Sequence, residues 1–255
     1  MTQLSTRNLF GMKIDAVRMP EAVARLQQWI ARPDGHCRYV VTPNVDHTVV
    51  FQQDAGLRAA YADADLVLAD GFPVVLAARL LGRTLPERVA GSDLVPALFD
   101  VATPERPLRV FLLGAAPGVG DRAANNIHQR WKSAQVVATY SPPLGFEHDA
   151  DENAKIMKLI AAANADVLVV GLGAPKQELW VHRFHRELAV PVALCVGATI
   201  DFLAGEKARA PRWMQRSGLE WLHRCWTDPR RLVRRYARDA MIFPQLVWRE
   251  WRATT

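Results

Sequence analysis

The chain has 255 residues, 50% hydrophobic and 23% charged, with a formal net charge of +6. That balance describes a globular protein with a full-sized apolar core and excludes collagen-like, low-complexity and disordered classes. No window approaches the roughly 18 consecutive apolar residues of a membrane-spanning helix, and residues 1–20 hold no apolar stretch long enough for a signal peptide. Cys37, Cys195 and Cys225 are odd in number and far apart. They suit buried thiols in a reducing compartment better than a disulfide framework or a zinc site, so a cytoplasmic location is expected.

In chain order, a helix is predicted over 20–31, where Pro20 suits a first turn, and the strand RYVVT follows at 38–42. A strand at 66–69 precedes helices at 73–82 and 93–102. Strands at 108–114, 136–140, 167–171 and 192–197 then alternate with helices at 118–132, 150–163 and 175–187. Short apolar runs separated by amphipathic stretches predict βαβ units, hence an α/β protein with a mostly parallel sheet and flanking helices. The alternation stops near 205–211. From Lys207 onward, 12 basic residues face 4 acidic ones and five of the eight tryptophans occur, whereas the preceding 206 residues carry a balance of −2. A catalytic core over 1–206 and a basic, Trp-rich helical appendage over 207–255 are therefore expected, the appendage meeting something anionic, either nucleic acid or a phospholipid surface.

Five strand ends carry residues suited to a ligand: Thr42-Pro43-Asn44, Asp70-Gly71, Gly114-Ala115, Gly171-Leu172-Gly173 and Gly197-Ala198-Thr199. In open α/β sheets the ligand crevice lies beyond the carboxyl ends of the strands, where glycine admits a close approach and Thr, Asn and Asp supply polar groups. Familiar signatures fail. Residues 114–120 have neither the GxGxxG order nor the final Lys-Ser/Thr of a P-loop, though a helix start there could face a phosphate. No GxSxG elbow occurs. His182 and His185 have a metal-compatible spacing without a third ligand, and read better as solvent-facing. Asp63-Ala64-Asp65 has the letters of a DxD motif but precedes its strand, at the wrong end of the sheet. Asp70 is either a general base at the sheet mouth or part of an Asp-Gly turn. Arg88 binds a phosphate through its fork or pairs with an acid. The segment from Gly171 to Glu178 joins a strand to a helix start and either aims its amide and charged side chains towards the crevice or is simply a well-capped βα loop.

The strings TPN (42–44), ADG (69–71), ERVAGSD (87–93), GLGAPKQE (171–178) and VGATIDFLAGEKARAPRWMQRSGLEWLHR (196–224) resemble the WecG/TagA/CpsF glycosyltransferases over about residues 8–235. The resemblance implies an inverting, metal-independent enzyme with a Rossmann-like core and no cofactor. Such enzymes move a sugar from a UDP-sugar to a polyprenyl-diphosphate-linked saccharide at the cytoplasmic membrane face, in cell-surface polysaccharide synthesis. It puts Asp70 on the catalytic base and Thr42 on its companion threonine. It puts Asn44, Arg88, Gly171, Gln177 and Glu178 in the substrate site, Asp201 at the nucleotide, and Arg224, Arg231 and Arg234 on the donor diphosphate. Phe72-Pro73 departs from the small residues common after the Asp-Gly, which bears on the sugar pocket and leaves N-acetylmannosamine, its uronic acid, glucuronic acid and glucose as donors. His223 and Cys225-Trp226 also depart, around Arg224.

Two other classes compete with this reading. A nucleotide-binding oxidoreductase is disfavoured by the broken glycine fingerprint. A nucleic-acid-binding module is disfavoured because the basic residues of the tail are interleaved with Trp and aliphatics, as at a lipid interface. The expected partners are the donor, the lipid-linked acceptor and an anionic membrane surface, with no nucleic acid; no oligomeric state is read from the sequence.

Overall fold

A computed structural model describes residues 5–211, 213–214, 219–227 and 229–254, without the side chains of 224, 225, 227, 229–231 and 254. Six strands, β3 (Arg38–Val41), β4 (Leu66–Val67), β5 (Leu108–Gly114), β6 (Ala134–Tyr140), β7 (Val167–Gly171) and β8 (Val192–Cys195), form one all-parallel sheet in the order β4-β3-β8-β7-β5-β6. All six coincide with predicted strands. Three of them leave the ladder one or two residues early; of the residues released there, Thr42 and Val196-Gly197 line the crevice, while Leu68 and Ala69 stay buried in the two cores.

The predicted helices also form: α1 (Met19–Ala31), α4 (Phe72–Leu80), α5 (Gly91–Asp100), α6 (Val119–Arg130), α7 (Ala150–Ala163) and α8 (Lys176–Phe184). Four features were not foreseen. A hairpin of β1 (Thr6–Leu9) and β2 (Met12–Asp15) precedes the sheet, turning at Phe10-Gly11 with both φ angles positive. The β3–β4 connection holds α2 (Val45–Phe51) and α3 (Ala55–Ala62), and α9 (Thr199–Ala204) follows β8. The sequence of α2, VDHTVVF, is rich in β-branched residues and has no helical run to announce it. Asn44 starts it by accepting the His47 amide on its side chain, as Asp54 does for Leu57 in α3.

Strand side chains alternate between two cores, one on each face. Val41, Leu113, Val170 and Cys195 join one with α2, α3, α7 and α8; Val40, Leu112, Val169 and Leu194 join the other with α1, α5 and α6. The strands read as continuous apolar runs because both faces are covered. Two further helices, α10 (Glu220–Thr227) and α11 (Pro229–Thr254), come from the basic appendage. α11 packs on the first core: Phe243 and Leu246 are buried in it, the Phe243 ring lies 5.5 Å from that of Phe10, and Glu250 pairs with Arg83. None of the described helices is long and apolar enough to cross a membrane. His182 and His185 stack on each other beside the Tyr39 ring, and His182 pairs with Asp63; both are half-buried rather than solvent-facing.

At the end of β5, Gly114 has φ +115, and a Cβ there would lie 2.5 Å from the Gly171 carbonyl oxygen. Gly114→Ala therefore forces two central strands apart and should cost about 2–4 kcal/mol in urea unfolding. Gly35→Ala, with positive φ but open space around it, should cost only about 1–2 kcal/mol.

Candidate active site

The chain runs from β3 outward to β4 at one edge, then crosses to β5 and β6 at the other, and β7 and β8 fill the gap. The crossing is where parallel α/β sheets open a crevice at their carboxyl ends. Two cavities occupy it. The smaller, about 130 Å³, lies over the ends of β3, β7 and β8 and is lined by Thr42, Gln177, Gly197, Ser92 and Lys207 among others. The larger, about 370 Å³, lies between the start of α4 and the C-terminal helices, with Phe72, Pro73, Trp221, Phe243 and Asp239 in its wall. Asn44, Asp70, Arg235 and Tyr236 line both. Asp70 is the one carboxylate shared by the two among the described residues.

Local backbone bonds hold Asp70 at this junction. Its amide donates to the Pro43 carbonyl at 2.8 Å, and the Val89 amide donates to the Ala69 carbonyl at 3.0 Å. The second bond brings in Arg88, whose guanidinium stands 3.7 Å from Asp70, 2.9 Å from Asp93 and 3.4 Å from Glu220 on α10. Arg88 thus ties the candidate base to α5 and α10. Asp70 stands directly before Gly71, the N-cap of α4, and lines both cavities.

Beneath the junction lies a buried polar chain. The Asn44 side chain meets His47 Nδ1 at 2.9 Å, His47 Nε2 meets Glu178 Oε1 at 3.2 Å, and Gln177 Nε2 donates to that same oxygen at 2.7 Å. Gln177 in turn accepts the Gly197 amide at 3.1 Å, and Thr42 donates to the Cys195 carbonyl at 3.1 Å. These bonds join the ends of β3, β7 and β8 into one rigid floor.

The sequence-derived residues divide accordingly. Thr42, Asn44, Asp70, Arg88 and Gln177 line the cavities. Glu178 does not: it is fully buried and supports Gln177 and His47 from below. Gly171 lines neither cavity, and its lack of a side chain serves packing, because a Cβ there would stand 2.9 Å from Ile200. Asp201 is also outside, paired at 3.1 Å with Lys207, which does line the smaller cavity. Arg234 is exposed and lines neither, while Arg224 and Arg231 lie among the side chains outside those described. The phosphate-like helix start at 114–120 lies away from both cavities, and Asp65 accepts the Tyr39 amide at the opposite end of the sheet.

Sequence reasoning missed Arg235, Asp46, Asp239 and His47. Arg235 Nε lies 3.1 Å from Asp46 Oδ1, to which Arg238 Nη2 donates at 2.5 Å. Arg238 also donates to Asp239 Oδ1 at 3.0 Å. Burial pushes the Asp239 carboxyl above the usual carboxylate range; nearby Asp46 adds to the rise, and Arg238 opposes it. A run of Arg and Asp at helical spacing reads in sequence as a solvated face. Here that face is turned onto α2.

The all-parallel six-strand sheet with helices on both faces and a crevice at its carboxyl ends is a Rossmann-like α/β fold. The particular family is plain: residues 7–255 match the Glycosyl transferase WecG/TagA/CpsF family, and the chain belongs to it. A relative from Bacillus spizizenii, named N-acetylglucosaminyldiphosphoundecaprenol N-acetyl-beta-D-mannosaminyltransferase, is 33% identical over 193 residues, covering 76% of this chain and 72% of its own. One of the same name from Staphylococcus aureus is 27% identical over 231 residues, covering 89% and 87%. Membership decides among the three classes weighed from sequence in favour of glycosyl transfer, over an oxidoreductase or a nucleic-acid module.

Glu178→Ala leaves His47 and Gln177 without their buried acceptor and should lower stability by about 3–5 kcal/mol, with loss of activity through the displaced floor. Asp201→Ala, which breaks only a half-exposed pair, should cost less than about 1 kcal/mol. Chemical denaturation of both variants checks the contrast.

Proposed function

We propose that this glycosyltransferase moves an N-acetylmannosaminyl group from a UDP-activated donor to a polyprenyl-diphosphate-linked N-acetylglucosamine, with inversion at the anomeric carbon. The observation that carries the reading is the meeting of two cavities at Asp70. The smaller takes the sugar-diphosphate end of the donor, and the larger takes the acceptor saccharide. The acceptor oxygen attacks the anomeric carbon as Asp70 removes its proton, and the bond to the diphosphate breaks with its electron pair going to the leaving UDP. Thr42 and Asn44 border the reacting sugar. Lys207 and Arg235 line the smaller cavity and, with Arg224 and Arg231, are the cations offered to the developing diphosphate charge. The names of the relatives support both sugars. Phe72 and Pro73 line the larger cavity, so their departure from the family pattern falls on the acceptor side and leaves the donor choice to the relatives.

The appendage also suits a lipid surface. On α11, Met241, Trp248 and Trp251 are exposed beside Arg249 and Arg252, on the side away from the core-facing Phe243 and Leu246. Tryptophans at headgroup level and basic residues near an anionic leaflet bind peripherally, each cation contributing about 1 kcal/mol. The working location is then the inner face of the cytoplasmic membrane, where the acceptor is anchored.

Asp70→Asn should lower turnover about 10²–10⁴-fold while UDP affinity, read by calorimetry, stays within about twofold; near-normal turnover removes Asp70 from the mechanism. Trp248→Ala with Trp251→Ala should weaken sedimentation with anionic liposomes at low salt and leave neutral liposomes unbound, as for the parent. Equal sedimentation of parent and variant argues against docking through α11.

A further inference from the structure

Asp239 lines the larger cavity, yet only 2% of it is exposed, and its Oδ2 meets no hydrogen-bond donor among the described residues. Its other oxygen is satisfied by Arg238, through Nε at 3.2 Å and Nη2 at 3.0 Å. A buried carboxylate oxygen without a donor is a costly arrangement that a cavity-bound ligand can relieve. The surrounding wall narrows the kind of ligand. Tyr236, Asp239, Ala240 and Phe243 stand at i, i+3, i+4 and i+7 on one face of α11, with Trp221 beside Tyr236 at 6.3 Å between ring centroids. Aromatic faces next to a hydrogen-bond acceptor match a pyranose ring, whose C–H face is apolar and whose hydroxyls are donors. A phosphate brings no donor; Arg88 and Arg235 in the same wall are already paired with Asp70, Glu220 and Asp46, and among the described residues there the carboxylates outnumber the cations four to two.

We propose that Asp239 determines acceptor specificity: its Oδ2 accepts a hydrogen bond from a non-reacting hydroxyl of the acceptor sugar, while Asp70 receives the proton of the reacting one. This rests on the assignment of the larger cavity to the acceptor. The same helix that walls the cavity thereby reads the sugar, and a hydroxyl missing from the acceptor leaves the carboxylate oxygen unpaired.

The test is steady-state kinetics with a short-chain lipid diphospho-N-acetylglucosamine and its monodeoxy analogues. Asp239→Ala should raise the acceptor KM about 10–100-fold, as for a lost hydrogen bond to a charged group, with the donor KM unchanged. One deoxy analogue should suffer the same loss with the parent enzyme and no further loss with the variant, the non-additivity expected of a shared contact. Asp239→Asn, which keeps the side-chain volume, carries the same comparison if the alanine variant melts early. An equal penalty on every analogue, or a donor KM that rises in step, overturns the role of Asp239. Ala240→Trp fills the cavity regardless of which group holds the sugar. It should abolish acceptor use while UDP still binds; an unchanged acceptor KM in that variant overturns the cavity assignment itself, separately from Asp239.

Discussion

The carboxylate of Asp70 has to stand at a fixed point between two cavities, and the edge strand that delivers it pairs through only two residues, Leu66 and Val67. A ladder that short cannot aim a side chain three positions beyond its end. The aim comes from outside the strand. Asp15 on the hairpin accepts the Val67 amide at 2.8 Å, Val41 accepts the Leu68 amide at 2.9 Å, and Pro43 accepts that of Asp70. Arg88 closes the arrangement from the far side by bridging Asp70, Asp93 and Glu220. The N-terminal hairpin, remote in sequence from the crevice, is thus part of what positions the reacting group.

The C-terminal helix does two jobs on successive turns of one face. Phe243 and Leu246 fill the core, and Arg235, Tyr236 and Asp239 wall the cavities one helical turn away. The partly exposed Arg235 and Arg238 both reach the buried Asp46, so α11 is bound to α2 by packing and by these ion pairs together. A change at its core face should therefore be felt at the cavity wall, because a helix moves as a rigid body. The apolar side chains left on its outer side extend the same element towards a lipid surface.

Under the site, the polar chain from the partly exposed Asn44 through buried His47 and Glu178 to Gln177 crosses from β3 to β8. Buried polar groups are tolerable when paired and costly when one partner is lost. Here the pairing makes the strand ends, which have left the ladder, as rigid as the sheet they leave.

How much of this was legible in the sequence follows from what each pattern encodes. Apolar runs of four to seven residues bounded by Gly, Pro and Asp mark buried parallel strands, and all six lay where that pattern put them. The amphipathic helices between them were equally visible, as were Asp70 and Thr42, because chemistry at a strand's carboxyl end is a local signal, and Arg88, as a cation just before a helix start. The hairpin and α2 were not, since their stability comes from burying Leu9, Ile14 and Val49 in a core that a short window cannot see. Glu178 and Gln177 are neighbours in sequence, yet one is buried support and the other lines a cavity, a division set only by which way α8 faces the sheet. Arg235, Asp46 and Asp239 came together across about 190 residues of chain, and no spacing in the sequence records that meeting. Local periodicity determined the layers of this protein; the docking of its last helix onto its second determined which charges stand at the site.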